Sequence, residues 1–386
     1  MNFIEAKQKA IELTKKKDIA HSVVMTDLTN RQFSARTFES AIKTGSFIHY
    51  NAHAYLKSKK YTIIIPAYNE ELRLPDTIAD IYRTQRREEF SIIVVQDGST
   101  DWTQKDWRVR YPEITMLWNK EQRGVGYSFD RGVSIAQTEL LILQGADIRF
   151  DRAGFIDSFL ERVKENKQSL ICTRVAQCNL DKPSFYLNEQ RQPMYRDHKL
   201  GVYQGASILF DHASSKLEFR RKLEAKWHPP RDADGNKHTE GVHEIGCILG
   251  AFYGVNKSWY EHIGGFRAHR QWGTLEPLIS LRSYLLGGNC LIDLDTTTGH
   301  MFMSEGSFKL LHNLVYNKLI TADLMPRKLR DDVFSWCESL RELGSLALSL
   351  YNESEEVESA RDYYAELLPK HSATQYKLIR RACLDV

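Results

Sequence analysis

Residues 61–101 read YTIIIPAYNEELRLPDTIADIYRTQRREEFSIIVVQDGSTD, and the fold follows from how this stretch alternates. An apolar run from Ile63 to Ile65 stops at Pro66, and a second from Ile92 to Val95 stops at Asp97 and Gly98. Short β-branched runs ended by breakers predict strands covered on both faces, as in a parallel sheet. Between them Leu74, Ile78, Ala79, Ile81 and Tyr82 recur at helical spacing, so the unit is strand, helix, strand: a βαβ crossover. Ligands of such sheets bind beyond the carboxyl ends of the strands, and here those ends carry AYNEE and QDGSTD. Tyr68 is placed to stack on a base, and Glu70 and Asp97 to accept hydrogen bonds from ribose hydroxyls or a base N–H. Polar strand ends with capping Asp and Ser would look the same.

Outside this unit the alternation continues. Ile114 to Trp118 predicts a strand, Gly126 to Ala136 a helix entered through the turn Arg123-Gly124-Val125-Gly126, and Leu140 to Leu143 another buried strand. Asp181 to Gly241, rich in Pro, Gly, Asp and charge, predicts a long mobile loop that contacts an acceptor or closes over a donor. From Glu305 onward FKLLHNLVYNKLI, VFSWCESLRELGSLALSLY and ESARDYYAELLPK carry apolar residues at spacings of three and four, a helical block. Residues 1–59 predict a helical or irregular extension that begins with an amphipathic helix, MNFIEAKQKAIELTKKKD. Arg31 to Arg36 and Lys57 to Lys60 in this extension could form part of an acceptor surface, solvated charge being the plainer account.

Composition sets the outer limits. A chain of 386 residues, 42% hydrophobic and 27% charged, can bury one large core with additions. Lys+Arg 53 against Asp+Glu 50 gives a net charge of +3, which argues against a dominant polyanion-binding tail. No stretch approaches the roughly eighteen apolar residues of a membrane span. The six cysteines form no CxxC pair and no secretory signal precedes them, so reduced thiols and a cytoplasmic location are expected.

IIIPAYNEE followed by VVQDGSTD resembles the nucleotide-sugar half of family 2 glycosyltransferases, which implies an α/β fold of the GT-A (Rossmann-like) type. That implies a mixed sheet flanked by helices over residues 60–303, with helical additions at 1–59 and 304–386. The chain departs from the family at Gln96, where the family has a first Asp. In QGADIRF the places of the family's Asp-x-Asp or Asp-x-His signature hold Gly145, Ala146 and Asp147, so the first acid is absent. The stretch GAFYGVNKSWYEHIGGFRAHRQWGTLEPLISLRSYLLGGNCLIDLDTTTGHMF, residues 250–302, resembles polypeptide N-acetylgalactosaminyltransferases and their galactosyltransferase relatives. The shared features are Gly250 to Val255, Gly264-Gly265-Phe266, Trp272-Gly273, Ile279-Ser280, Arg282, Gly287-Gly288 and Gly299-His300.

The resemblance implies a role for each matched position. Asp147 and His300 would bind Mn2+ (or Mg2+), a metal that accepts imidazole and carboxylate. Glu276 takes the second acidic place, that of the general base in inverting enzymes, while Leu275 fills the first. In the retaining N-acetylgalactosaminyltransferases the second place is Asn, so Glu276 favours inversion; a plain helix-initiating role beside Pro277 is the alternative. Pro66, Tyr68, Glu70, Asp97, Arg123, Gly124 and Trp272 would line the nucleotide-sugar site. The expected function is metal-dependent transfer from a nucleoside-diphosphate sugar, a UDP-sugar by resemblance, to a hydroxyl on a glycan, protein, small molecule or hydroxylated DNA base. Two rivals remain: a nucleotidyltransferase, although AYNEELRLP lacks its Gly-rich Arg loop, and an inactive nucleotide-sugar-binding protein, suggested by Gln96, Gly145 and Leu275.

Overall fold

The computed structural model describes residues 59–101, 111, 114–150, 154–178, 202–209, 223–301 and 311–383, together with Lys9 and short strands within 21–51 and 186–194. Three strands come first: β1 (His21–Asp27), β2 (Gln32–Thr37) and β3 (Ile48–Asn51), an antiparallel sheet in the order β2-β1-β3. This corrects the helical or irregular expectation for that region. Val23, Val24 and Thr26, then Phe33 and Thr37, are strand-favouring residues whose pattern is masked by the charges around them. The expected N-terminal amphipathic helix lies outside the described residues apart from Lys9.

The main body follows as β4 (Tyr61–Ala67), α1 (Leu74–Thr84), β5 (Phe90–Asp97), β6 (Thr115–Asn119), α2 (Val125–Ile135), β7 (Leu140–Gln144), β8 (Ile148–Phe150), α3 (Phe155–Glu165) and β9 (Ser169–Gln177). The next region holds the short strands β10 (Tyr186–Leu187), β11 (Pro193–Met194), β12 (Val202–Tyr203), β13 (Ala206–Leu209) and β14 (Glu224–Trp227). Where it is described, then, the expected loop at 181–241 is partly paired: β12 adds to β9, and β13 pairs with β14. The second half comprises β15 (Val242–Glu244), β16 (Phe252–Asn256), α4 (Lys257–His262), α5 (Leu275–Leu285) and β17 (Asn289–His300). Five helices complete the described chain: α6 (His312–Ala322), α7 (Arg327–Ser339), α8 (Glu342–Asn352), α9 (Glu355–Leu367) and α10 (Ser372–Cys383). Among the described residues no helix is long and apolar enough to cross a membrane.

The central ten-stranded sheet runs β15-β17-β9-β16-β7-β4-β5-β6, with β12 on β9 and β8 on β17. Strands β4, β5, β6 and β7 are mutually parallel, whereas β16 is antiparallel to β7 and β9, so the sheet is mixed. Successive side chains of a strand face opposite sides. Ile64 therefore enters one core with Val95, Leu143 and Phe129, while Ile63 and Ile65 enter the other with Ile92, Val94 and Ile142. Both faces being covered is why β4 can be apolar without alternation. Helix α1 buries Leu74, Thr77, Ile78, Ile81 and Thr84, a stripe at three- and four-residue spacing, with Pro75 in its first turn.

Candidate active site

The position of the site follows from strand order. From β4 the chain moves outward to β5 and β6, then returns to place β7 on the opposite side of β4, so the topology switches between β4 and β7. Pairing of β4 with β7 ends at Ile64↔Leu143, whereas pairing with β5 continues to Ala67↔Gln96. The strand tips thus part between β4 and β7, the crevice where doubly wound sheets take ligands. Pro66 lies just past the last β7 partner, so its missing N–H costs no ladder bond on that side. Tyr68 follows, 41% exposed at the rim.

The loops after β4 and β5 are tied to each other. Asn69, held at φ 54°, donates its backbone N–H to Ser99 Oγ (3.0 Å) and accepts Thr100 N–H at Oδ1 (2.9 Å), and Glu71 N–H donates to Asp101 (3.0 Å). Glu70 is half-buried and ion-paired with Arg73 at 3.4 Å. Burial pushes its carboxyl up to about 7, and the charge of Asp147 adds to that while Arg73 opposes it. Two acids therefore share the crevice field, which favours a cation there.

Asp97 is engaged by the protein itself. Its Oδ1 accepts from Asn119 Nδ2 (2.6 Å) and Arg123 N (2.9 Å), and its Oδ2 from Gly124 N (2.7 Å), with the residue 3% exposed. The carboxylate thus holds the 123–124 turn in place. Gly124, at φ +99°, lies so close to Gln271 that a Cβ would fall 2.2 Å from the Gln271 Cα. Gln271 N donates to Arg123 O (3.1 Å) and Val125 N to Gln271 O (3.2 Å), a parallel bridge joining the turn to the 264–274 loop. Gln96, the departure from the family, is wholly buried and takes Ser99 Oγ at its own Oε1.

Asp147 and His300 are brought together by the antiparallel pairing of β8 with β17, in which His300 faces Ile148 and Met301 N reaches Asp147 O (3.3 Å). His300 Nε2 stands 3.4 Å from Asp147 Oδ2. Two donors in adjacent positions of an octahedral ion, each about 2.1 Å from it, lie about 3 Å apart, so a carboxylate and an imidazole at this spacing fit a shared cation. Among the described residues no group of three or more His, Cys, Asp or Glu could hold a metal, so the pair could fill only part of a coordination shell. The turn between β7 and β8 is pinned from α1: Thr77 Oγ1 donates to Ala146 O (2.6 Å) and Arg149 Nη1 to Thr77 Oγ1 (2.7 Å).

Glu276 opens α5, and its side chain lies across Gly250, where a Cβ would come 2.4 Å from Oε1. Ala251, next in sequence, accepts Gly145 N–H (3.0 Å), which puts Glu276 beside the β7 tip that carries Asp147. Burial raises the Glu276 pKa, its own backbone N–H opposing the shift. The loop leading into α5 is strained: Gly264, Gly265, Ala268, Gln271, Gly273 and Thr274 all have positive φ. Such concentrations persist only where surroundings impose them, commonly at ligand sites. Trp272 in this loop is 51% exposed. His269 beneath it is buried, which lowers its pKa to about 4, so neutral imidazole Nε2–H donates to Gly273 O (2.8 Å).

Around the strand tips, then, Asp147 meets His300 and adds its charge to the field at Glu70, Glu276 lies against Gly250, and the Arg123–Gly124 turn held by Asp97 is bridged to Gln271, the neighbour of Trp272. Sequence reasoning did not single out Gln271, Thr77, Arg149 or the α6 residues that hold the Trp272 loop. The one signal for the last was polar Asn313 and Asn317 within the apolar pattern of HNLVYNKLI. His238 and His243 stack on each other at 3.7 Å, outside the crevice group just described.

A mixed α/β sheet split at a topological switch point and flanked by helices is the architecture of the GT-A fold. Residues 62–226 match the family model "Glycosyl transferase family 2". It is 25% identical over 253 residues to polypeptide N-acetylgalactosaminyltransferase 14 of Homo sapiens, covering 63% of this chain and 41% of that protein. It is 26% identical over 125 residues to a dolichyl-phosphate beta-glucosyltransferase of Dictyostelium discoideum, covering 29% and 38% respectively. In structure it resembles GalNAc-T7, solved with UDP, GalNAc and Mn2+, at a TM-score of 0.62 and 12% identity, covering 83% of this chain and 56% of that one. The chain thus spans about two fifths of the length of these curated relatives.

Proposed function

We propose that this chain transfers a sugar from a nucleoside-diphosphate sugar, a UDP-sugar, to a hydroxyl acceptor, with a divalent cation and with inversion at the anomeric carbon. The observation that carries this is the 3.4 Å approach of His300 Nε2 to Asp147 Oδ2 at the switch-point crevice, with Glu276 against Gly250, whose neighbour Ala251 accepts the Gly145 N–H at the β7 tip. Residues 60–303 would form the transferase unit, with 1–59 and 304–386 as flanking additions. The UDP and Mn2+ bound by GalNAc-T7 support the choice of donor and cation.

Asp147 and His300 would hold Mn2+ or Mg2+, which supplies neutralisation of the diphosphate leaving group. Tyr68 offers a face for the base and the Arg123–Gly124 turn, held by Asp97, borders the donor. Trp272 gives the sugar an aromatic floor. Glu276 accepts the acceptor hydroxyl's proton as that oxygen bonds to the anomeric carbon and the bond from that carbon to the diphosphate oxygen breaks. Burial of Glu276 strengthens it as a base relative to an exposed glutamate. The acceptor class stays with glycans, proteins, small metabolites and hydroxylated DNA bases. The six cysteines are thiols outside any disulfide, and a reducing compartment such as the cytoplasm is part of this reading.

The test is release of nucleoside diphosphate from a panel of nucleotide sugars, with Mn2+ or with chelator, for the native chain and Asp147→Ala. The expected result is release from one UDP-sugar that chelator abolishes and that the variant loses. Binding without release under every condition would instead establish the inactive binding protein that Gln96, Gly145 and Leu275 suggest. Neither binding nor release would overturn the assignment.

A further inference from the structure

The residues nearest the donor wall are fixed by a part of the chain that the family resemblance does not reach. Helix α6 presents Asn313, Leu314, Tyr316 and Asn317, at the spacing that puts side chains on one helix face, to the 268–273 loop. Asn317 is wholly buried and uses both ends of its amide: Oδ1 accepts Arg270 N–H (3.0 Å), while Nδ2 faces the carbonyls of Arg270 (2.8 Å), Trp272 (3.2 Å) and Gly273 (3.1 Å). Asn313 Nδ2 donates to Gln271 Oε1 (2.7 Å) and Tyr316 OH to Ala268 O (2.9 Å). Leu314 lies so near Gly273 that a Cβ there would meet its Cδ1 at 2.3 Å. From the N-terminal end of α9, Glu356 bridges Arg123 (3.2 Å) and Arg270 (2.9 Å), tying both walls to the same helical block.

We infer that Asn317 is a positioning residue for the donor site: it holds Trp272 and the strained entry to α5 in the one loop conformation that serves the crevice. The loop contains three non-glycine residues at positive φ, Ala268, Gln271 and Thr274, and such a backbone does not keep its shape unaided. A single buried amide that satisfies one N–H and faces three carbonyls of this loop supplies the constraint, and an apolar replacement removes all of these bonds at once, only the His269 bond to Gly273 O staying behind. Helix α6 therefore serves the working site through the loop it holds. The inference rests on the transferase reading for the role of Trp272, and its structural half stands apart from that reading.

The experiment uses the full chain labelled with 5-fluorotryptophan, with the Trp272 resonance assigned by Trp272→Phe, together with amide exchange and steady-state kinetics. In Asn317→Leu the Trp272 resonance is expected to shift or broaden and amides 270–274 to exchange roughly tenfold faster, while the resonance of buried Trp259 and the amides of β4 stay put. Donor KM should rise roughly tenfold with kcat changed far less, a split that a general loss of fold would not give. Should Asn317→Leu fail to fold, Glu356→Ala, at a 47%-exposed side chain, breaks the bridge to Arg270 and should move the same Trp272 signal. Unchanged Trp272 resonance and exchange in the folded variants would overturn the inference. A native Trp272 resonance that ignores every nucleotide sugar, with or without Mn2+, would instead overturn the transferase reading.

Discussion

Replacing Asp97 by Asn separates two roles that the family resemblance merges. A residue that only contacts a nucleotide could lose its charge at little cost to folding. In the structure each oxygen of Asp97 has a defined internal load: Oδ1 carries Asn119 and Arg123, and Oδ2 carries Gly124, all within 2.9 Å. An asparagine can keep its oxygen at the doubly loaded position, which turns its NH2 toward Gly124 N. That N–H is then buried against another donor, at a cost of about 1–3 kcal/mol. The two surviving bonds fall from charge-assisted to neutral strength, about 1 kcal/mol each. The expected loss is about 3–5 kcal/mol, read as a lower urea midpoint at unchanged slope. Because Gly124 pairs with Gln271, donor affinity should fall together with stability. An Asp97→Asn variant within about 0.5 kcal/mol of native would refute the assignment of Asp97 as a clamp on this turn.

Glu276→Gln should leave donor binding intact and cut turnover by about a hundredfold or more, and undiminished turnover would remove Glu276 as the base. The native pH profile should lose activity on acidification at a value above that of an ordinary glutamate, since the base must be ionised and burial raises its pKa. His269 has a folded pKa lowered by burial from 6.5 to about 4. The folded state therefore binds fewer protons, so the contribution is complete above pH 6.5 and is lost progressively as pH falls toward 4. It amounts to about 3 kcal/mol at most, and His269→Phe should flatten the pH dependence of urea unfolding over that window.

The C-terminal helices hold more than the α6 contacts. Arg282 of α5 is buried and donates to Gly265 O (2.5 Å) and Arg267 O (2.8 Å), with its guanidinium over the Tyr364 ring of α9 at 4.9 Å. Arg381 of α10 makes a paired contact with Glu244, and α10 closes on Gly246, where a Cβ would strike Ala382 O. Both ends of the segment that carries Glu276 are thus braced by helices outside the family match at 62–226.

Much of this was legible in the chain of letters because the relevant physics is local. The runs Ile63 to Ile65 and Ile92 to Val95 record strands covered on both faces, and the stripe from Leu74 to Ile81 records a helix with one buried side. Breakers after the runs mark strand tips, and polar residues at tips mark a crevice. The same local signals failed for residues 21–51, where strand-favouring residues are diluted by charge. They were also silent on Asp97, whose type announces a hydrogen-bond acceptor but not which donors claim it. Only the folded chain decided that the β8–β17 pairing sets Asp147 beside His300, that Glu276 lies across Gly250, and that Asn317 bonds to the Trp272 loop. Periodicity fixes which face of an element is buried, whereas pairing between distant segments depends on how whole layers pack, and no window of sequence contains that.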